Sequence, residues 1–256
     1  MLYAHQNKAF LLHISLWGMV YSNISMKKIH RFITPYTVEN NTITVTDPTL
    51  FHQWKNVLKF KKGEEIILVD SIEGEAHCTI TSYKDESVLC TVREQIGTQK
   101  EILREVTLYM AILKKEHFEY VVQKASEIGI RKIVPLITER TIKTGLKYER
   151  LEKIAKEASE LAGLSRVPEI SEIHTFEEAL SESLKYKTRI IFDKDGSTQH
   201  ALTPDPCALF VGPEGGWTDD ELHNAKESGC ESFSLLSHTL RGETAGIIAS
   251  YLAVTL

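Results

Sequence analysis

The chain has 256 residues, enough to bury the hydrophobic core of one or two domains. Its hydrophobic content of 42% and charged content of 25% are ordinary for a soluble globular protein. The net charge of −5 argues weakly against nucleic-acid binding, and no apolar run is long enough to span a bilayer.

The four cysteines are too scattered to indicate a metal or redox centre. Cys78, Cys90, Cys207 and Cys230 show no C-x-x-C spacing, so we expect neither a zinc site nor a redox motif. Free thiols of this kind fit a reducing compartment, and we expect a cytoplasmic protein with no bound metal.

Residues 1–25 resemble a poor signal peptide. A mostly apolar stretch at 9–21 follows Lys8, but His13 and Ser15 interrupt it and no A-x-A-like cleavage site follows. We expect these residues to form an N-terminal extension outside the core fold. A membrane-binding helix is the alternative.

Short strands are predicted between residues 29 and 92. Polar and apolar residues alternate at 42–46, 76–83 and 87–92, and a short apolar run covers 65–69. Residues 52–60 are interpreted as a short helix, and a linker is expected near 94–103. The pattern predicts a small β-barrel.

The start of this region is basic although the chain is acidic. Residues 26–62, here called the basic segment, carry seven Lys and Arg against two acidic residues, a net charge of +5. A basic module on an acidic body can bind a phosphate backbone. A merely solvated lysine surface is the alternative.

From residue 105 onward, predicted strands alternate with predicted helices. The strands are expected at 106–113, 132–137, 188–192, 208–211 and 232–236, and the helices at 118–128, 151–161, 176–184, 218–228 and 245–254. This alternation predicts an α/β domain whose mostly parallel sheet is covered on both faces.

A glycine-rich sequence follows the predicted strand at 208–211. It is GPEGGW at 212–217, and TDDE at 218–221 then has the form of a capping box that begins a helix. Strand, glycine loop and helix start together favour a ligand site at the carboxyl end of the strand, with a tight turn as the alternative. The spacing is that of neither a phosphate-binding P-loop nor a G-x-G-x-x-G loop.

GPEGG at 212–216 followed by LRGETA at 240–245 resembles the ribosomal RNA uridine-N3 methyltransferase family of the SPOUT superfamily, the RsmE group. The resemblance extends to KASEIG at 124–129, PLITER at 135–140 and RVPEI at 166–170, and runs from about Met26, a natural start for the family, to the end of the chain. It implies a PUA-like RNA-binding β-barrel at 26–97 and a SPOUT trefoil-knot methyltransferase domain at 103–256.

The resemblance also implies S-adenosylmethionine as the cofactor, bound in the knot largely by backbone amides. The methionine and ribose parts are expected at the first loop, the adenine at 235–240, and further contacts at the last helix and at the strand end near Asp193. The expected residues are Phe192, Gly212, Glu214, Gly215, Gly216, Leu236, Ser237, Leu240, Thr244 and Ala245.

Methylation of uridine N3 requires loss of a proton, and negative charge then spreads onto the flanking carbonyl oxygens. We expect Arg241 to face that charge, because a guanidinium stays ionised and donates in a planar fork. Glu243 is the second catalytic candidate. Either it or Glu214 could take the proton or orient the backbone, and capping of the last helix is the alternative for Glu243.

The expected substrate is a uridine of small-subunit (16S) ribosomal RNA, free or in the assembled subunit, bound by a homodimer. Candidate RNA-binding residues are Lys28, Arg31, Lys55, Lys59, Lys62 and Arg140. The alternatives are a SPOUT ribose 2′-O-methyltransferase and a non-catalytic RNA-binding or ribosome-assembly module. The last is favoured by Leu161 and Leu164, which replace a polar amide and a cation usual in the family.

Overall fold

The computed structural model describes residues 29–97, 104–114, 116–142, 145–198 and 205–255. The extension expected at 1–25 lies outside these residues, as does Lys28. Within them, no helix combines the length and apolar character needed to cross a membrane.

The first part of the described chain is built mainly of short strands. In order these are β1 (His30–Ile33), β2 (Thr42–Val45), α1 (Pro48–His52), a π-helical turn (Gln53–Val57), β3 (Glu65–Asp70), β4 (Gly74–Lys84) and β5 (Ser87–Ile96). The strands lie in the order β1-β3-β4-β5-β2. Their buried side chains form one cluster with Trp54, which is fully buried. The predicted small strand-built domain is therefore present.

The helix predicted at 52–60 begins earlier than the sequence interpretation placed it. Oδ1 of Asp47 accepts hydrogen bonds from the backbone N–H groups of Thr49 at 2.8 Å and Leu50 at 3.4 Å. Pro48 occupies the first helical position, where its missing N–H is not needed. The Asp-Pro pair thus fixes the start of α1 at Pro48, and the prediction of 52 was wrong.

The second part alternates strands and helices. Its elements are β6 (Val106–Ala111), α2 (His117–Ile128), β7 (Lys132–Ile137), α3 (Tyr148–Ala162), β8 (Glu169–Ile170), β9 (His174–Thr175), α4 (Phe176–Ser183), β10 (Thr188–Ser197), β11 (Cys207–Val211), α5 (Asp219–Glu227), β12 (Glu231–Phe233) and α6 (Gly242–Thr255). The strands lie in the order β12-β10-β11-β6-β7-β8, with β9 also on β7. Every paired strand in this sheet runs parallel to its neighbour.

Helices cover both faces of this sheet, because successive strand residues point to opposite sides. Leu108 and Met110 of β6 lie in the core cluster that contains α2, α3 and α6. Tyr109, between them, lies in the cluster that contains α4 and Trp217, stacked on Phe210 with ring centroids 4.6 Å apart. The predicted α/β class with a mostly parallel, doubly covered sheet is confirmed. The knot itself stays a prediction.

Helix ends follow the expected local signals. Gly129 after α2 and Gly163 after α3 both adopt left-handed backbone conformations with φ of 99° and 79°, which glycine reaches without steric penalty. The strand expected to run to 236 ends instead at Phe233, so Ser234 and the residues after it leave the sheet.

Candidate active site

A cavity of about 610 Å³ lies beside residues 192–194 of β10, where the carboxyl end of β11 meets the start of α6. Its lining comes mainly from two segments, the glycine loop (residues 212–217) and the second loop (residues 234–241). The lining includes most of the residues expected to contact a cofactor: Phe192, Gly212, Glu214, Gly215, Gly216, Leu236, Leu240 and Ala245. Arg140, Arg241 and Glu243 also line it, whereas Ser237 and Thr244 are not among the described lining residues.

Trp217 fixes the glycine loop against the sheet. Its Nε1 donates a 3.0 Å hydrogen bond to the carbonyl oxygen of Phe192 at β10, and its buried ring lies 5.0 Å from that of Phe176. A Cβ on Gly212 would lie 3.0 Å from the Trp217 ring, a separation that a real side chain rarely tolerates. Gly212 is therefore needed for this packing as well as for access to the cavity.

Arg140, which follows β7, supports the same loop from the other side. Its Nη1 donates to the carbonyl oxygens of Gly215 at 2.8 Å and Trp217 at 2.9 Å. A Cβ on Gly215 would lie 3.2 Å from Cβ of Arg140. The absent side chain of Gly215 thus leaves room for Arg140. The RNA-binding role expected of Arg140 stays a prediction, and holding the loop is a role that the sequence did not suggest.

The capping box that follows the glycine loop is present and has a further contact. Oε2 of Glu221 accepts from the N–H of Thr218 at 2.8 Å, and Oγ1 of Thr218 accepts from the N–H of Glu221 at 3.3 Å. The other oxygen, Oε1 of Glu221, accepts from the N–H of Glu139 at 3.0 Å. One buried carboxylate therefore joins the start of α5 to the segment that carries Arg140.

Glu214 is positioned by the segment that follows β6. Its Oε1 accepts a 2.9 Å hydrogen bond from the backbone N–H of Lys114. This contact ties the glycine loop to the strand end next to it. A carboxylate so engaged is better suited to holding the loop than to moving during a reaction cycle.

The start of α6 carries an acidic side chain between two basic ones. Oε2 of Glu243 lies 3.1 Å from Nδ1 of His117, and Oε1 lies 3.9 Å from Nη1 of Arg241. The Glu243 side chain is only 13% exposed, whereas that of Arg241 is 81% exposed. The exposed side chain of Arg241 can therefore reorient when a ligand binds, whereas the buried side chain of Glu243 cannot.

Glu243 stays ionised in this setting. Burial raises its pKa, but hydrogen bonds from its own backbone N–H and from His117, with the charges of His117 and Arg241, bring the pKa below its usual value. Glu243 is therefore a poor proton acceptor at neutral pH, and its carboxylate can hold both the His117 ring and the Arg241 guanidinium.

The sequence interpretation missed His117, which also lines the cavity. It is the first residue of α2 and lies 126 positions before its partner Glu243. The available signal was its place just after β6, since loops that follow neighbouring parallel strands meet at one edge of the sheet.

The predicted RNA-binding residues of the first domain differ in how they are engaged. Lys55, Lys59 and Lys62 are exposed, and Nζ of Lys55 lies 4.9 Å from the ring centroid of Phe51. Arg31 instead forms a two-pronged ion pair with Glu75, in which Nη1 and Nη2 each contact one carboxylate oxygen. The lysines are the freer candidates for phosphate contacts.

Two families match this chain. The family described as RNA methyltransferase domain matches residues 99–254, more than half of the chain, and the family described as RNA methyltransferase PUA domain matches residues 55–93. The first range contains the cavity, and the second contains Lys55, Lys59 and Lys62.

Named relatives agree with these matches. The chain is 27% identical over 228 residues to the ribosomal RNA small subunit methyltransferase E of Bacillus subtilis, covering 82% of this chain and 89% of that protein. It is 30% identical over 229 residues to the protein of the same name from Synechocystis, covering 85% and 74%. A crystal structure of the Neisseria gonorrhoeae protein of that name, bound to S-adenosyl methionine, is 26% identical with a TM-score of 0.79, covering 88% of this chain and 96% of that one.

Proposed function

This chain belongs to the ribosomal RNA small subunit methyltransferase E family, and from that membership we propose that it transfers a methyl group from S-adenosylmethionine to N3 of a uridine in small-subunit ribosomal RNA. The observation that carries the proposal is the convergence of the two late motifs, 212–217 and 240–245, on one cavity. The similarity to proteins of that name from Bacillus subtilis and Synechocystis supports it.

The cavity fits S-adenosylmethionine in size and character. A volume of about 610 Å³ is within the range of small-molecule sites, roughly 300–1,000 Å³. Small residues in both loops let backbone groups approach a ligand closely. We propose that the residues holding it are Phe192, Gly212, Glu214, Gly215, Gly216, Leu236, Ser237, Leu240, Thr244 and Ala245. When bound, the cofactor supplies a methyl group activated by its positively charged sulfur.

The residues around the cavity supply position and charge for the chemistry. As N3 of the uridine loses its proton, negative charge grows on O2 and O4 of the base. The exposed guanidinium of Arg241 can donate to one of these oxygens, and a preorganised donor of this kind typically contributes about 10²- to 10³-fold in rate. The ionised, buried carboxylate of Glu243 lies beside this guanidinium and restricts the positions that it can adopt.

We propose the strand-built domain at 26–97 as the part that holds the RNA, and the domain at 103–256 as the part that acts on the base. The exposed lysines at 55, 59 and 62 support this division. Arg31 and Arg140 would have to leave existing contacts to reach phosphate. The substrate is either free ribosomal RNA or the assembled small subunit, and the place of action is the cytoplasm.

A homodimer formed through α6 is part of the proposal. Among the described residues of α6, Glu243 is the charged one, and Tyr251 is exposed on a helix that is otherwise apolar or small. Tyr120, on the neighbouring α2, is exposed as well. Such exposed aromatic groups on an apolar helix favour burial against a second copy. Light scattering at micromolar concentration should give twice the monomer mass.

The product identifies the function directly. Purified protein, S-adenosylmethionine and small-subunit RNA from a strain lacking the gene should yield 3-methyluridine, measured by mass spectrometry of the digested RNA. RNA from the parent strain should accept little further methyl. A ribose 2′-O-methylated nucleoside as the product would contradict the proposal, and so would an absence of methyl transfer to either the free RNA or the intact subunit.

A further inference from the structure

We propose that His117 is a catalytic residue that accepts the N3 proton of the target uridine through its Nε2 atom. This inference rests on the proposed function and names the proton acceptor in that reaction. Two observations support it: His117 lines the cavity, and its ring contacts the buried carboxylate of Glu243.

The contact with Glu243 fixes which ring nitrogen is available. Nδ1 lies 3.1 Å from Oε2 of Glu243, so in the neutral ring the hydrogen is held on Nδ1 and the lone pair is left on Nε2. In the part of the chain that the structure describes, no further hydrogen-bond partner of the His117 ring is found. The side chain is 37% exposed, which leaves a route for the proton to reach solvent after the reaction.

The other acidic and basic groups on the cavity are less suited to this step. Glu243 has a pKa below its usual value, and its carboxylate contacts both His117 and Arg241. Glu214 accepts a hydrogen bond from the N–H of Lys114. The remaining charged or titratable groups of the lining are Arg140 after β7, Asp193 and Lys194 in β10, His238 in the second loop and Arg241 before α6. His238 is exposed, and among the described residues no ion pair between its ring and a carboxylate is found. Histidine is also the side chain that most often serves in general acid–base catalysis.

The step balances in atoms and charge. The N3–H bond breaks, its proton goes to Nε2, and its electron pair stays on N3. That pair forms the new bond to the methyl carbon, while the old bond from carbon to sulfur breaks and leaves its electrons on sulfur. The imidazolium that forms lies beside the Glu243 carboxylate, which stabilises it, and it then releases the proton to water.

The test is His117→Asn, because the asparagine amide can place a donor near the position of Nδ1 but has no acceptor at the position of Nε2. We expect unchanged melting temperature and S-adenosylmethionine affinity by calorimetry. The single-turnover rate of 3-methyluridine formation should fall about 10²- to 10⁴-fold. The wild-type pH–rate profile should lose its acid limb in the variant.

The matched control is His223→Asn, which removes another histidine paired with a glutamate. His223 lies on α5 with Nε2 3.3 Å from Oε1 of Glu227, and it does not line the cavity. This variant should keep the wild-type rate and profile. His117→Gln, which has no basic nitrogen, should fail as His117→Asn does and guards against a substitution that unfolds the helix start.

A readout independent of turnover is the ring tautomer. Long-range ¹H–¹⁵N correlation on histidine-labelled wild-type protein should show Nδ1 protonated and Nε2 unprotonated in the neutral ring of His117. The opposite tautomer would overturn the assignment. So would a His117→Asn rate within threefold of wild type, or a lost rate accompanied by lost cofactor binding. A wild-type protein that forms no 3-methyluridine would overturn the proposed function itself, and this role with it.

Discussion

Glu160 accepts a hydrogen bond of 2.9 Å at its Oε1 from the backbone N–H of Ile33. The contact joins the last turn of α3 in the α/β domain to β1 of the strand-built domain. The carboxylate is 12% exposed and has Lys156 Nζ at 4.0 Å. A polar group buried in this way must keep its partner, since a lost hydrogen bond leaves the full cost of desolvation. Glu160 therefore helps to set how the two domains meet.

Stability should respond differently to two substitutions of Glu160. Glu160→Ala leaves the N–H of Ile33 without its partner and should lower the free energy of unfolding by about 1–3 kcal/mol. Glu160→Gln keeps an acceptor oxygen and removes a buried charge, so at pH 7 it should be at least as stable as wild type. Urea unfolding of the three proteins measures both effects.

The advantage of Glu160→Gln should depend on pH. Burial raises the pKa of Glu160 above its usual value, with the Ile33 hydrogen bond and Lys156 opposing it. A raised pKa means that the folded state favours the neutral acid. The stabilising contribution of Glu160 is then complete below the unfolded pKa, near 4.3, and is lost as the pH rises through the folded pKa. The difference between the two proteins should therefore vanish near pH 4, and a constant difference would contradict this assignment.

The position of the glycine loop should depend on Arg140. Arg140→Ala removes two hydrogen bonds to carbonyl oxygens of the glycine loop, and we expect S-adenosylmethionine affinity to fall about 10-fold, or 1.4 kcal/mol. Arg140→Lys keeps the charge but loses the guanidinium geometry, so its affinity for S-adenosylmethionine should be nearly as low as that of Arg140→Ala. Calorimetry with the cofactor measures this.

RNA binding by the same variants separates the two roles of Arg140. If Arg140 acts mainly on phosphate, Arg140→Lys should keep cofactor affinity and most RNA affinity, which would contradict the loop role. Arg150→Ala is the control: Arg150 is exposed and paired with Glu119 at 2.8 Å, and its removal should leave cofactor binding unchanged.

Gly212→Ala should disturb the site more than its size suggests. The new Cβ would lie 3.0 Å from the ring of Trp217, and Trp217 is held by its hydrogen bond to Phe192 and cannot move freely. We expect a loss of about 1–3 kcal/mol in stability, together with weaker cofactor binding. Gly97→Ala, where no atom lies within 4 Å of the new Cβ, should change neither property in thermal melts with and without cofactor.

Much of this architecture could be predicted from local sequence pattern. The helices α2 and α3 show apolar residues at helical spacing, and the capping box at Thr218 and Glu221 marks the start of α5. Local rules work here because each pattern reports on contacts within one element. The two late motifs similarly located the cavity, because loops at one sheet edge converge.

Contacts between distant elements could not be predicted in this way. The pairing of His117 with Glu243, the two bonds from Arg140 and the bond from Ile33 to Glu160 all depend on how elements pack in three dimensions. No spacing rule connects residues that lie 75 to 127 positions apart in the chain. The early start of α1 differs, because the Asp47-Pro48 pair is itself a local signal for a helix that begins at Pro48.

The basic segment and Arg241 should have separate roles, the first in RNA binding and the second in catalysis. Lys59→Ala combined with Lys62→Ala removes two exposed charges of the basic segment. Phosphate contacts release counterions, so the apparent KM for RNA should rise and the slope of log affinity against log salt should decrease by about 1 per lysine. Turnover at saturating RNA should change little. Lys153→Ala, an exposed lysine of α3, is the control and should leave the slope as it is.

Arg241→Ala should have the opposite effect. Its exposed guanidinium is proposed to act on charge that develops only in the transition state, so kcat and kcat/KM should fall together by about 10²- to 10³-fold with RNA affinity nearly kept. Steady-state kinetics give kcat and KM, and RNA binding at several salt concentrations gives the affinity and its salt slope. An Arg241→Ala protein that loses RNA binding but keeps kcat would reverse the assignment. If the lysine substitutions also left KM and the salt slope unchanged, the RNA would have to bind along another surface, such as that of Arg140 and Lys147.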